Sequence, residues 1–180
     1  MTFVFVSGDL ALDFAATRKW RRRPDPDELL PTGADAARWA VEAGVLTRPP
    51  RIADEELREL LTLRESVYRL VHPAAAPPRP ADVRVLNRAA AHPGPRASLT
   101  ADGVRRTGDG QALAAAIAGA ALTLLETHPS IRECAGEDCT RLFVDRSRAG
   151  NRTWCGMEEC GNRVKAASYR ARRAAPRTGR

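Results

Sequence analysis

The chain of 180 residues has two lysines, Lys19 and Lys165, and three histidines. Aromatic residues make up only 5% of it, although 43% is hydrophobic, so a core must be built mainly from Leu, Val and Ala. The preference for arginine over lysine follows coding-sequence composition and carries no functional weight. No apolar run reaches the ~20 residues that a bilayer span requires, so no membrane partner is expected. The opening MTFVFVSGDLALDF has no basic leader and meets acids at Asp9 and Asp13. A cytoplasmic setting with reduced thiols is the expectation. No Ser/His/Asp set or carboxylate pair suggests catalysis, and an enzyme is not expected. Asp9 and Asp13, four apart, read as a helix cap and a surface acid.

Before Cys134 there is no cysteine at all; the four in the chain are Cys134, Cys139, Cys155 and Cys160. Their spacing is C-x4-C-x15-C-x4-C. Two cysteines on one tight turn can face the same ion, and a second pair completes a tetrahedron. Disulfides need an oxidising compartment, and a redox dithiol normally shows a two-residue gap in a βαβ context. The pattern therefore favours one structural zinc per chain. Leu142–Val144 reads as a strand, Arg148–Asn151 as a turn and Thr153–Cys155 as the return strand of a hairpin joining the pairs. Gly136 and Gly156 would let each loop fold back. His72, His92 and His128 each precede a proline at a helix end, where a C-terminal cap suits them better than metal ligation.

Charge is concentrated beside the cysteines. Residues 140–180 hold eleven Arg or Lys against three acids, +8 of the total +7, leaving residues 1–139 at about −1. A basic segment on a near-neutral body fits a polyanion partner. After Cys160, the stretch NRVKAASYRARRAA places Val164, Ala167, Ala171 and Ala174 on one helical stripe. Arg163, Arg170, Arg173 and Arg177 fall on one flank of it, and Lys165 with Arg172 on another. Such a helix, launched by the last ligand, suits docking on phosphates or in a groove. Pro176–Arg180 reads as a loose tail. Trp154 is expected to fill the small core, while Tyr169 could do so or stack on bases. The basic run 18–23 is a weaker phosphate candidate; a solvated loop is the plainer reading.

The rest reads as mainly α. Helices are expected over 35–43, 54–71, 82–91 and 111–128, the second capped by Asp54 and the last apolar nearly all round. Residues 99–107, centred on Asp102-Gly103, predict a small hairpin. Phe3–Val6 resembles a strand; Leu10–Phe14 fits a strand or a helix.

With these motifs in place, residues 131–173 resemble the CGNR zinc finger, named for the tetrapeptide that here is Cys160–Arg163. Phe143-Val-Asp145-x-Ser147, Trp154-Cys155 and the Lys165–Arg173 stretch belong to the likeness. Residues 1–128 resemble the ABATE domain that precedes this finger in bacterial transcription regulators associated with stress. GDLALDFAAT, ARWAVEAGVL and LRELLTLRESVYRL carry that likeness. The family's opening signature commonly ends Asn-Thr where this chain has Ala16-Thr17, so any contact made by that asparagine is missing here.

The resemblance implies a helical ABATE-like domain over 1–128 and a zinc module of β-hairpin plus basic helix over 129–180. It implies DNA-binding transcriptional regulation, on or near the nucleoid, with the helical domain dimerising or sensing a small molecule. Arg148, Arg152, Asn162, Arg163, Lys165, Arg170, Arg172 and Arg173 are the expected nucleic-acid contacts. An RNA-binding zinc module, or an adaptor with purely structural zinc, would use the same parts.

Overall fold

The computed structural model describes residues 2–74 and 77–161. Among these residues, five α-helices and three two-stranded antiparallel ribbons make a mainly α fold. Helix α1 (Leu10–Ala15) starts where Asp9 accepts the Ala11 amide at 2.8 Å, which resolves the ambiguous Leu10–Phe14 stretch as helix. Asp13 is no surface acid: its Oδ1 accepts the Ser7 amide at 3.0 Å. Phe3–Val6 forms no strand.

Short strands β1 (Arg18–Lys19) and β2 (Asp27–Glu28) pair across an arginine-rich loop. Helix α2 (Gly33–Glu42) begins two residues earlier than the pattern predicts, because the Thr32 hydroxyl accepts the Asp35 amide. Helix α3 spans Asp54–Val71 as expected, but its cap is not Asp54. Ala53 is the N-cap residue, and Glu56 reaches back to accept its amide at 2.8 Å. That is one half of a capping box, operating without a cap side chain. Helix α4 (Pro80–Ala90) uses proline in its first turn, where the missing N–H costs nothing.

Strands β3 (Arg96–Thr100) and β4 (Gly103–Thr107) form the predicted hairpin, three residues longer on its first strand. Helix α5 (Gly110–Thr127), capped by Asp109, is the centre of the body and packs on α1, α3 and α4. Among the described residues it is the one helix long and apolar enough to cross a membrane by length and composition. Its inner face, including Leu113, Ile117, Ala121 and Leu124, is buried in the protein core. Trp39 and Phe14, with ring centroids 5.0 Å apart, complete that core. Fully burying side chains of this size contributes about 2–3 kcal/mol each, so a few aromatics suffice.

Strands β5 (Ile131–Glu133) and β6 (Leu142–Val144) follow, then a π-helical turn at Met157–Gly161. Leu142 and Val144 belong to the main core, and the Val144 amide donates to the Ser7 carbonyl at 2.8 Å. The C-terminal strands are thus packed against the helical body.

Candidate metal centre

The pairing around the cysteines departs from expectation. Strand β6 does pair, but its partner is β5, which lies upstream of the first cysteine. Thr153–Cys155 is not a strand; a backbone bond from the Ala135 amide to the Thr153 carbonyl at 3.1 Å, and the Cys155 amide on the Cys134 sulfur, tie it to the first knuckle. The cysteine spacing alone could not distinguish these pairings, because a three-residue strand such as Ile-Arg-Glu has almost no hydrophobic signature. The turn at 148–151 is present, with Gly150 at φ +59°.

Each cysteine pair closes its own tight turn. The Cys139 amide donates to the Gly136 carbonyl at 2.9 Å, with Asp138 in the left-handed region at φ +47°. The Cys160 amide donates to the Gly156 carbonyl at 3.1 Å in the second turn. Gly136 is there for space: a Cβ would lie 3.1 Å from the Cys160 sulfur and 3.2 Å from Cys139 Cβ. Gly156 is under no such demand, since its nearest neighbours would lie at 3.7 Å.

The four Sγ atoms all lie within 4.8 Å of one another, three of the residues are buried, and no disulfide links them. A tetrahedral zinc with bonds of ~2.3 Å needs sulfur–sulfur edges of about 3.8 Å, well inside that limit. The donors are already polarised. Thiol contacts from Cys139 and Cys155, then the Cys155 and Gly136 amides, pull Cys134 down to about 2. The Cys155 and Gly136 amides sit 3.3 and 3.4 Å from its sulfur. The contacts with Cys134 and Cys139, and burial, push Cys155 up; burial and the same two neighbours push Cys160 up to about 12. Four crowded thiols therefore cannot all ionise alone, and a dication resolves the conflict. The set fits one structural zinc, which in such a site supplies folding energy. No histidine joins the cluster: His72 and His128 are C-cap residues of α3 and α5, and His92 follows the end of α4.

Around the cysteines, a small separate core of Phe143 and partly buried Trp154 holds the two knuckles together. Asp145 organises the hairpin turn. It accepts the Ser147 amide at 2.9 Å, the Arg152 amide at 3.0 Å and the Arg132 guanidinium at 3.2 Å. These donors, Ser147 first, hold its carboxyl down to about 2.

Of the expected nucleic-acid contacts, two lie within the described residues. Arg148 is exposed on the turn and has no ion pair among those residues. Arg152 faces inward. It donates to the carbonyls of Trp154 at 2.9 Å and Val6 at 3.0 Å, and to that of Cys155, and lies over the Phe143 ring. Its role is to stitch the second knuckle to the N-terminal segment. Asn162, Arg163, Lys165, Arg170, Arg172 and Arg173, with Tyr169 and Pro176–Arg180, lie outside the described residues.

In the basic loop after α1, three arginines are held by carboxylates, although Arg22 stays largely exposed. Arg21 pairs with Glu65 and donates to the Ala15 and Arg18 carbonyls. Arg22 chelates Glu133 at 2.6 and 2.7 Å, and Arg23 holds Asp138 at 2.6 Å. The Arg21 amide also donates to the Thr140 hydroxyl at 3.2 Å. Sequence reasoning missed this clasp on the first knuckle, because its acceptors lie more than a hundred residues downstream. Between the clasp and the cysteines is a polar cleft of about 300 Å³, lined by Ala16, Arg18, Trp20 and Arg141. The residue standing in place of the family asparagine, Ala16, therefore faces the metal centre.

The site defines a class: a four-cysteine zinc module closing against a helical body. Residues 8–128 match the ABATE family, described as "Putative stress-induced transcription regulator", and residues 130–173 match the CGNR zinc finger. The first match covers well over half of the chain, and the protein belongs to the ABATE family. No curated protein matches it in sequence.

Proposed function

We propose that this protein is a DNA-binding transcriptional regulator of the bacterial cytoplasm, acting in a stress response and without catalytic activity of its own. The observation that carries this reading is the position of Cys160. It is a buried member of the sulfur cluster, and Arg163, Lys165, Arg170, Arg172 and Arg173 follow it directly in sequence. Zinc fixes the point from which that basic segment leaves the module. Exposed Arg148 adds a contact from the hairpin turn, whereas Arg152 serves the module's interior.

The body offers a place for control. A cleft of about 340 Å³ opens between α3, α4 and α5, floored by Leu60, Leu63 and Val85 and edged by Glu59, Arg88 and His92. Its apolar floor with a few polar groups suits a small organic effector.

The test is duplex DNA binding by the full chain, titrated against salt. If six cations each neutralise a phosphate, the log–log slope is about −5. Structured RNA competing better than duplex DNA at the same salt would move the assignment to RNA. Binding to neither would make the zinc module a protein adaptor.

A further inference from the structure

We infer that the β3–β4 ribbon is a second duplex-DNA contact, separate from the zinc module; this rests on the proposed DNA-binding role. The ribbon projects from the body: eight of its ten strand residues are exposed and the other two half-buried. An isolated two-stranded ribbon is marginal in water, so one that packs on so little needs a reason.

The register sorts its side chains. Arg96 faces Thr107 and Ser98 faces Arg105 on one side; Ala97 faces Arg106 and Leu99 faces Val104 on the other. One face is wholly polar and carries two guanidiniums. The other presents Leu99, 83% exposed, and Val104, 51% exposed, beside Arg106.

The charges point to a polyanion. Arg96, Arg105 and Arg106 have no ion pair among the described residues, and Asp102 at the tip is the one acid in the ribbon. By contrast, Arg21, Arg22, Arg23, Arg64 and Arg69 each hold a carboxylate. At the ribbon's base, Thr47 takes both backbone groups of Arg106, anchoring β4 to the loop that carries exposed Arg48 and Arg51. Five cations thus collect at one end of a body whose residues 1–139 sum to about −1 with those five included.

Dimension and shape agree. Two strands lie ~4.8 Å apart, and the major groove, ~12 Å wide, admits a two-stranded ribbon. Arginines on both faces reach phosphates on either wall, and the Leu99–Val104 pair suits thymine methyls and sugar edges. A second copy of the chain is the other occupant an apolar pair could take. Bringing two such ribbons together would oppose three arginines to three, with one acid per ribbon, Asp102, to offset them.

The experiment compares the full-length zinc-loaded protein with Arg96→Ala/Arg105→Ala, and with Arg79→Ala/Arg84→Ala at the start of α4 as a charge-matched control. All four side chains are exposed, so folding is checked by an unchanged melting curve. The expected result is a salt slope shallower by about 2 for the ribbon variant and unchanged for the control. Equal slopes and affinities for wild type and ribbon variant overturn the inference and leave the zinc-module reading standing. No duplex binding by the wild type overturns both. A wild-type dimer that Leu99→Ser/Val104→Ser dissociates in sedimentation, with the salt slope intact, assigns the ribbon to a second copy and also overturns the inference.

Discussion

Arg64 on α3 and Glu28 on β2 face each other as a two-pronged ion pair, Nη1 to Oε1 and Nη2 to Oε2, both at 2.6 Å. Arg64 is only 1% exposed, and its Nη1 also meets the Thr17 hydroxyl at 3.1 Å. The pair fixes both ends of the 18–28 loop, and that loop carries Arg22 and Arg23 to Glu133 and Asp138. A buried charge in the helical body therefore positions the clasp on the metal module.

Removing one side of this pair takes away the other's two-pronged partner: Glu28 keeps the Leu30 amide, and Arg64 keeps Glu65 and the Thr17 hydroxyl. Arg64→Met should lower the unfolding free energy by about 3 kcal/mol, the low end for a broken buried pair because Glu28 is one-third exposed. Adding Glu28→Gln should recover part of the loss. Urea unfolding of the two single variants and the double variant measures this, and strictly additive losses would show that the two side chains are not coupled.

The clasp arginines should be silent in DNA binding. Arg22→Ala/Arg23→Ala removes two cations whose charge is already neutralised at Glu133 and Asp138. The salt slope should stay within experimental error of wild type, unlike that of the ribbon variant. Stability should fall only slightly, since these pairs are partly exposed. A slope shallower by about 2 would show that the loop itself touches phosphate.

Gly136 and Gly156 should separate in a zinc competition assay with a chromophoric chelator. Gly136→Ala drives a methyl group against the Cys160 sulfur and Cys139, so zinc affinity should drop by tenfold or more, ~1.4 kcal/mol or above. Gly156→Ala meets only ordinary contacts and should bind zinc as wild type does. Equal affinities for both variants would mean that the first knuckle adjusts freely.

Acid should destabilise the fold. Burial pushes the Glu28 carboxyl up, but the Arg64 hydrogen bonds and charge outweigh it, and the net direction is down. Asp82, bonded to Arg69, and Asp145, bonded to Ser147, also lie below their ordinary range. A lowered folded value means stability fully present above the unfolded values of ~3.9–4.3, and lost as pH falls through the folded ones. For Asp145 that loss extends to about 2. Asp9 and Asp13, raised by burial, act in the opposite sense and gain stability as pH falls through their folded values. Melting temperature should decline from about pH 5 downward, and Asp145→Asn should flatten the decline below about pH 4. A variant curve parallel to wild type throughout would remove Asp145 from the account.

Much of this architecture is legible in the chain because it is local. Leu57, Leu60, Val67 and Val71 repeat at helical spacing, and Pro73 closes the run, so α3 can be read to the residue. The cysteine spacing announces four ligands to one ion, and the sulfurs do converge. What cannot be read is pairing at a distance. Arg64 is visible as a break in an apolar stripe, but its partner lies on another element 36 positions away. The basic run 18–23 looks solvated because its acids are remote in sequence. Strand β5 is invisible because three residues leave no periodicity, and Arg152 looks like a free cation until the carbonyls around it are in place.

The central claim is that zinc holds in register the module from which the basic segment departs. The most direct test measures duplex affinity before zinc removal by a chelator, after it, and after zinc is restored, with bound metal quantified at each stage. One zinc per chain, loss of tight binding on removal and recovery on restoration are the predicted results. Metal-free protein that stays folded and binds duplex with unchanged affinity and salt slope would contradict the claim.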